Sequence, residues 1–199
     1  MLASMPPLRL SGFALNVAMR LAIVVFAVVI LANPEDPAFV DKGLGIRSVV
    51  ILFGLSLVIP AWHLWRRRGL AYPVWYDVIF LTTFLLDLVG NVFDLYDTYF
   101  FFDWIPHSHN TGVVTIILAW ILRLSLLCAV GVATILHVLF EIQEFYGDIV
   151  FGTRNVRGLF DTINDLMVGL IGSIVYGLLY MRLVRRARRE PLPTDDRRT

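Results

Sequence analysis

Long apolar runs alternate with short polar stretches along this chain. A helix needs about 20 apolar residues to cross the hydrocarbon core of a bilayer. The first such run spans Gly12 to Ala32 and stops at Asn33-Pro34. Arg20 lies within it and is expected to snorkel to the near interface. An acidic, turn-rich loop follows, NPEDPAFVDKGLG. The second run is Ile46 to Trp65, ended by Arg66-Arg67-Arg68-Gly69, and the third is Val74 to Phe93. The last is Thr162 to Met181, followed by the charged tail RLVRRARREPLPTDDRRT. The pattern predicts one transmembrane domain over 1–182 and a charged, disordered cytoplasmic tail over 183–199.

The stretch from Pro106 to Tyr146 is apolar nearly throughout and has no proline after its first residue. One straight helix of that length would be about 60 Å long, roughly twice the hydrocarbon thickness. It must fold back or leave the membrane. Arg123 is the only formally charged residue between His109 and Glu141, so the break is placed there. That gives a fourth span over Trp104–Leu122 and a fifth over Leu124–Phe145. Lys and Arg collect on the cytoplasmic side of membrane proteins. Six spans put both termini and the Arg66–Arg68 block inside, whereas five would leave the RRARR tail outside. The expected fold is an all-α polytopic bundle of about six spans, with five as the alternative.

Composition sharpens this. The chain is 58% hydrophobic, against about 45–50% in an ordinary soluble domain, and its mean hydropathy is +0.73. Net charge is only +1, but the charges are segregated. Basic runs are short and flank apolar segments, which reads as topology and excludes a nucleic-acid surface. A single cysteine, Cys128, excludes an intrachain disulfide and a Cys-based metal site.

In the six-span arrangement the acids and histidines gather at one end, facing the outer leaflet. Asp87, Asn91 and Asp94 share a face, as do His137, Glu141, Glu144 and Asp148. Asp103 and His107 are i, i+4, with His109 nearby, and so are Asp161 and Asp165. Ionisable groups in a membrane are costly and mark function by default. Carboxylates a few Å apart cannot all ionise. Either a divalent cation binds, or some acids stay protonated, or they line a wide aqueous vestibule. The expected metal ligands are Asp103, His107, Glu141, Glu144, Asp161 and Asp165, and the expected catalytic groups are Glu141, Glu144 and Asp165. Mixed His, Asp and Glu ligands suit Zn²⁺ or Mn²⁺, an all-carboxylate set Mg²⁺. Simpler roles stand beside these. Glu144 or Asp148 could pair with Arg154 or Arg157, Asp161 could favour a helix N-terminus, Asp87 could bond Asn91, and His137 could be a core residue. Gly169, Gly172 and Gly90 are read as sites of close helix packing.

The pattern Asp103-x-x-x-His107, Glu141-x-x-Glu144-Phe145, Gly152-Thr153 and Asp161-Thr162-x-x-Asp165 resembles the bacterial YjdF-like integral membrane proteins, a domain family of unknown function. The glutamate helix followed by Arg, Asp and Asn-Asp-x-x-x-Gly is similar to VanZ-like proteins. The resemblance covers about Asp87 to Gly172. It implies a multi-span helical bundle in a prokaryotic cytoplasmic membrane and no established activity. Three functions are therefore weighed. The first is a metal-dependent enzyme acting on a lipid-linked or cell-envelope substrate, with Tyr99–Phe102 as an interfacial platform. The second is a cation- or proton-coupled transporter, and the third an accessory subunit bound to another membrane protein. Membrane lipids are partners in all three.

Overall fold

The computed structural model describes residues 7–66 and 70–189, with side chains over 10–66 and 70–186. Among these residues every regular element is a helix: α1 (Pro7–Ala32), α2 (Pro37–Val40), α3 (Leu44–Phe53), α4 (Val58–Arg66), α5 (Val74–Val92), α6 (Leu95–Thr98), α7 (Trp104–Leu122), α8 (Leu126–Phe151) and α9 (Leu159–Arg189). Five stretches are long and apolar enough to cross a membrane: Leu10–Ala32, Leu44–Arg66, Val74–Val92, Leu126–Phe151 and Leu159–Arg186. Helix α7 has the same 19-residue length as α5, but its first turns carry His107, Ser108, His109 and Asn110. The described residues thus form an all-α membrane bundle of six long rods, five of them apolar enough to cross a membrane and α7 the sixth. Residues 67 and 68 of the basic block and 190–199 of the tail lie outside the described residues, and α9 continues seven residues past Arg182.

The apolar stretch after Pro106 is two helices, not one. Helix α7 ends because Arg123 takes the left-handed conformation, φ 54°. Ser125 then returns to extended backbone, and its side chain accepts from the amide of Cys128 at 3.3 Å. A left-handed residue followed by a serine cap reverses the chain without glycine or proline.

The second rod is broken. Gly54 sits at φ −123°, ψ −81°, and a 3-10 turn over Leu55–Leu57 joins α3 to α4. Pro60 follows, and proline cannot donate to the carbonyl four residues back. That carbonyl belongs to Ser56, and it accepts from Arg20 Nη1 at 3.0 Å. Arg20 also contacts Asp77 at 2.6 Å, and Asn16 Nδ2 donates to Asp77 at 2.8 Å. Arg20 is therefore held by a buried carboxylate and a freed carbonyl rather than extended to the interface. Tyr72 donates to the same Asp77. Burial and that bond push its hydroxyl pKa up.

Packing divides the bundle. Helices α1, α3 and α5 share an apolar core that includes Ile23, Ile30, Leu44, Ile51, Leu81 and Leu88. Helices α7, α8 and α9 pack on one another, and α5 joins the two groups through α7. The tightest crossing is α7 on α9. A Cβ on Gly172 would lie 2.0 Å from the Ser108 carbonyl oxygen, so only glycine admits that approach. Gly90 serves the same end locally: its missing Cβ leaves room for the rings of Tyr96 and Phe102. With lipid outside, fit of this kind holds the helices together, because tails are as apolar as leucine.

Candidate functional site

The start of α3, the end of α5, the starts of α7 and α9 and the end of α8 meet at one end of the bundle. They enclose a cavity of about 870 Å³. Its walls carry most of the acids and histidines singled out above, Asp94, Asp148 and His109 excepted.

Most of those acids have their own partners. Arg47, from the first turn of α3, reaches across the cavity. Its Nη1 is 3.1 Å from Asp87, and its Nη2 is 3.1 Å from both Glu144 and Asn155 Oδ1. Asn91 Nδ2 donates to Asp87 at 3.1 Å, in the hydrogen-bonding role weighed for that pair. Arg157 holds Asp103 at 3.2 Å. Asp148 accepts from Thr153 Oγ1 at 2.6 Å and from the amides of Asn155 and Val156, which fixes the loop between α8 and α9. Asp161, in the first turn of α9, accepts from the Arg157 amide at 3.0 Å. Its place suits the helix N-terminus. At the rim, Lys42 contacts Asp97 at 2.7 Å, and that hydrogen bond draws the Asp97 carboxyl below its usual range. Burial, reinforced by Asp87, pushes the Tyr96 hydroxyl well up.

Once these pairs are set aside, a smaller group remains: His107, His137, Glu141 and Asp165. His107 Nδ1 lies 2.9 Å from His137 Nε2. Glu141 Oε1 lies 3.3 Å from each of those two nitrogens and is hydrogen-bonded to neither. Four ligands at about 2.0–2.2 Å from a tetrahedral Zn²⁺ sit roughly 3.3–3.6 Å apart. The two Glu141 separations fall at the short edge of that spacing, and the 2.9 Å between the two imidazoles is a hydrogen-bond distance that a bound ion would widen. Glu141 is 5% exposed and Asp165 is 3% exposed, and Asp165 Oδ1 also lacks a hydrogen-bond partner. Ligand atoms of Asp165, Asp103 and His107 form a second group, all within 4.8 Å of one another.

The supports of this group are visible. Asp103 Oδ1 is 3.2 Å from His107 Nε2. A proton on Nε2 donated there leaves Nδ1 as the lone-pair nitrogen, turned toward His137 and Glu141. This is how a carboxylate orients a metal-binding histidine. Gly169 of α9 lies against the His137 ring, where a Cβ would come within 2.2 Å of Nδ1 and Cε1.

Of the six residues expected as ligands, the structure brings Asp103, His107, Glu141 and Asp165 together. Glu144 faces Arg47 instead, and Asp161 caps the loop. His137 joins the group. Arg154 and Arg157 are the cations expected near these acids, and Arg47 is not among them. Arg154 lies at the surface, 3.7 Å from Asp41. The available signal was the cost of an arginine inside an apolar run.

His109 points elsewhere, with Nε2 2.7 Å from Thr82 Oγ1 and Nδ1 2.8 Å from Tyr176 OH. His107 is thus the histidine of that helix that reaches the cluster.

No curated protein and no solved structure matches the chain. A family of predicted membrane proteins matches from the first rod to the last, in agreement with the resemblance to a multi-span membrane domain. The match runs over residues 15–186 and includes every side chain of the cluster, so the chain belongs to the predicted membrane protein family DUF2238.

Proposed function

We propose that this protein is a metal-dependent membrane enzyme whose centre is His107, His137 and Glu141. One observation carries the reading: three ligand atoms, on buried His137 and Glu141 and partly buried His107, lie 2.9–3.3 Å apart, and the carboxylate oxygen among them has no hydrogen bond. A buried carboxylate oxygen that has only two imidazoles beside it and no hydrogen bond is costly, and a cation removes that cost. Two imidazoles and one carboxylate favour Zn²⁺ or Mn²⁺ over Mg²⁺, which prefers oxygen. Three protein ligands leave a position for water, and a bound ion would lower the pKa of that water toward neutrality. In this scheme Asp165 takes the proton, Asp103 fixes the tautomer of His107, and Arg157 holds Asp103. Glu144, expected as catalytic, serves instead to position Arg47 at the cavity wall.

A transport pathway would continue to the far end of the bundle. There the nearest charged group on α5 is Asp77, about 15 Å along the helix from Asp87. Val78, Leu81, Phe84 and Leu85 pack into the apolar core between them. That layer favours a reaction site that ends within the bundle over a conduit through it.

The test is metal content of the detergent-purified protein beside a Glu141→Gln/Asp165→Asn double variant. We expect near-stoichiometric Zn or Mn in the native protein and loss of it in a variant that remains helical and monodisperse. Equal metal in both, or none in either after reloading, would sink the proposal.

A further inference from the structure

The cavity is not polar throughout, and it is not closed. At the end of the bundle its lining is Arg47, Glu144 and His107. Toward the middle of the bundle the lining turns apolar, to Val50 and Leu55 on one wall and Ala133 on the other, with Leu136 at the level of His137 on the same wall. Helices α3 and α8 form these walls without packing on one another as helices. Helix α8 rests on α7 and α9, and α3 on α1. Only Arg47, reaching to Glu144, bridges the gap by a hydrogen bond among the described residues. Several apolar lining residues are open to the outside as well. Ile46 is 72% exposed, Val50 49% and Leu136 46%, although all lie on membrane-crossing helices. What surrounds those positions in a bilayer is lipid, so the cavity is continuous with the lipid phase through the cleft between α3 and α8.

We infer that the substrate is a membrane lipid that enters sideways through this cleft. Its polar head lies at His107, His137 and Glu141, and its tail passes between Val50 and Leu136 toward Leu55 and Ala133. The inference rests on the reading of that cluster as the reactive centre. Three features argue for a lipid over a soluble molecule or a helix. The polarity gradient runs in the direction of a lipid, head at the bundle end and tail toward mid-membrane. The apolar walls are accessible from the bilayer. Ion-paired Arg47 and Lys42 flank the head end and supply donors for a polar headgroup.

The experiment uses the full chain in vesicles of phosphatidylethanolamine and phosphatidylglycerol, doped with a phosphatidylglycerol that carries a diazirine on its acyl chain. The protein is then moved into detergent, so that loosely held lipid exchanges away, and irradiated. Adducts are mapped by mass spectrometry, and metal content is measured on the same sample. We expect adducts at Val50, Leu136 or Phe140, cut severalfold in a Val50→Trp/Leu136→Trp variant that keeps its metal. A Leu21→Trp variant, altered on the outer face of α1, should label like the native protein. Adducts confined to outer positions such as Leu21 and Val25, with metal present, would overturn the lipid and leave the metal centre standing. Adducts in the cleft of a protein without metal would uphold the lipid and remove the metal centre. A crosslink from a Val50→Cys variant to a second copy would place a helix of another chain in the cleft and overturn the proposal.

Discussion

At Gly169 the fold gives up a side chain so that His137 can keep its ring where Glu141 and His107 need it. A methyl group there would collide with the ring at 2.2 Å. Gly169→Ala should therefore turn the ring aside. We expect a clear loss of bound metal and a destabilisation of about 1–3 kcal/mol, the usual cost of overpacking. Gly45→Ala is the control, since nothing lies within 4 Å of a Cβ at that position. Metal analysis and thermal unfolding of the two variants, side by side, separate a local from a global effect. If Gly169→Ala keeps its metal, the ring is not a ligand.

Arg47 presents a second case at this scale. Its two terminal nitrogens serve different carboxylates, Asp87 and Glu144. Lysine offers one compact charge and cannot reproduce that fork. Removing the guanidinium leaves two carboxylates facing each other in a half-buried site. Loss of a fully buried partner costs about 3–5 kcal/mol. These groups keep some solvent contact, so about 2–3 kcal/mol is the expected loss for Arg47→Gln. Adding Glu144→Gln should return part of it. A double variant no more stable than Arg47→Gln alone would show that the pair is not coupled. Arg47 also marks where the sequence stopped being readable. Its partners stand 40 and 97 residues away. No local spacing encodes that meeting, whereas His137 and Glu141, one turn apart, are visible as a pair on one helix face.

At the scale of elements, the rods were legible because a membrane imposes length and apolarity on each. Even the fold-back near Arg123 follows from arithmetic, since one helix over 106–146 would be twice too long. How the chain turns there was not legible. A left-handed arginine carries no composition signal, because glycine or asparagine normally occupies that conformation. The break at Gly54 was hidden for another reason: it is stabilised from a distance, by Arg20 on the Ser56 carbonyl. The turn gives a direct prediction. Arg123→Gly should be neutral or stabilising by up to about 1 kcal/mol, because glycine accepts positive φ freely. Arg123→Val should cost about 1–2 kcal/mol, because a β-branched side chain resists it. Thermal unfolding of the two variants in one detergent gives the comparison. The reverse order would mean that the α7–α8 turn is not built on a left-handed residue.

At the scale of the molecule, the cavity gathers the starts of α3, α7 and α9 and the end of α8, so the far end of α9 and the end of the rod formed by α3 and α4 define a second side. Arg66, Arg182, Arg185 and Arg186 cluster toward that side, while the cavity and its acids lie at the other. Positively charged flanks stay in the cytoplasm, which would open the cavity to the outer leaflet. Cysteine labelling decides this. Cys128, exposed at the start of α8, must first become Ser so that it does not report. A membrane-impermeant maleimide applied to intact cells should then label Thr98→Cys, beside the cavity, and reach Arg185→Cys only after lysis. Labelling of Arg185→Cys alone would reverse the orientation and move the site to the inner leaflet. Labelling of both in intact cells would mean an odd number of crossings. The site's chemistry would then have to be reconsidered, because α7 brings His107 to the cluster only by running antiparallel to α8, which brings His137 and Glu141. A count of crossings in a living membrane thus tests the same geometry that metal analysis tests in detergent, by a route independent of any ligand.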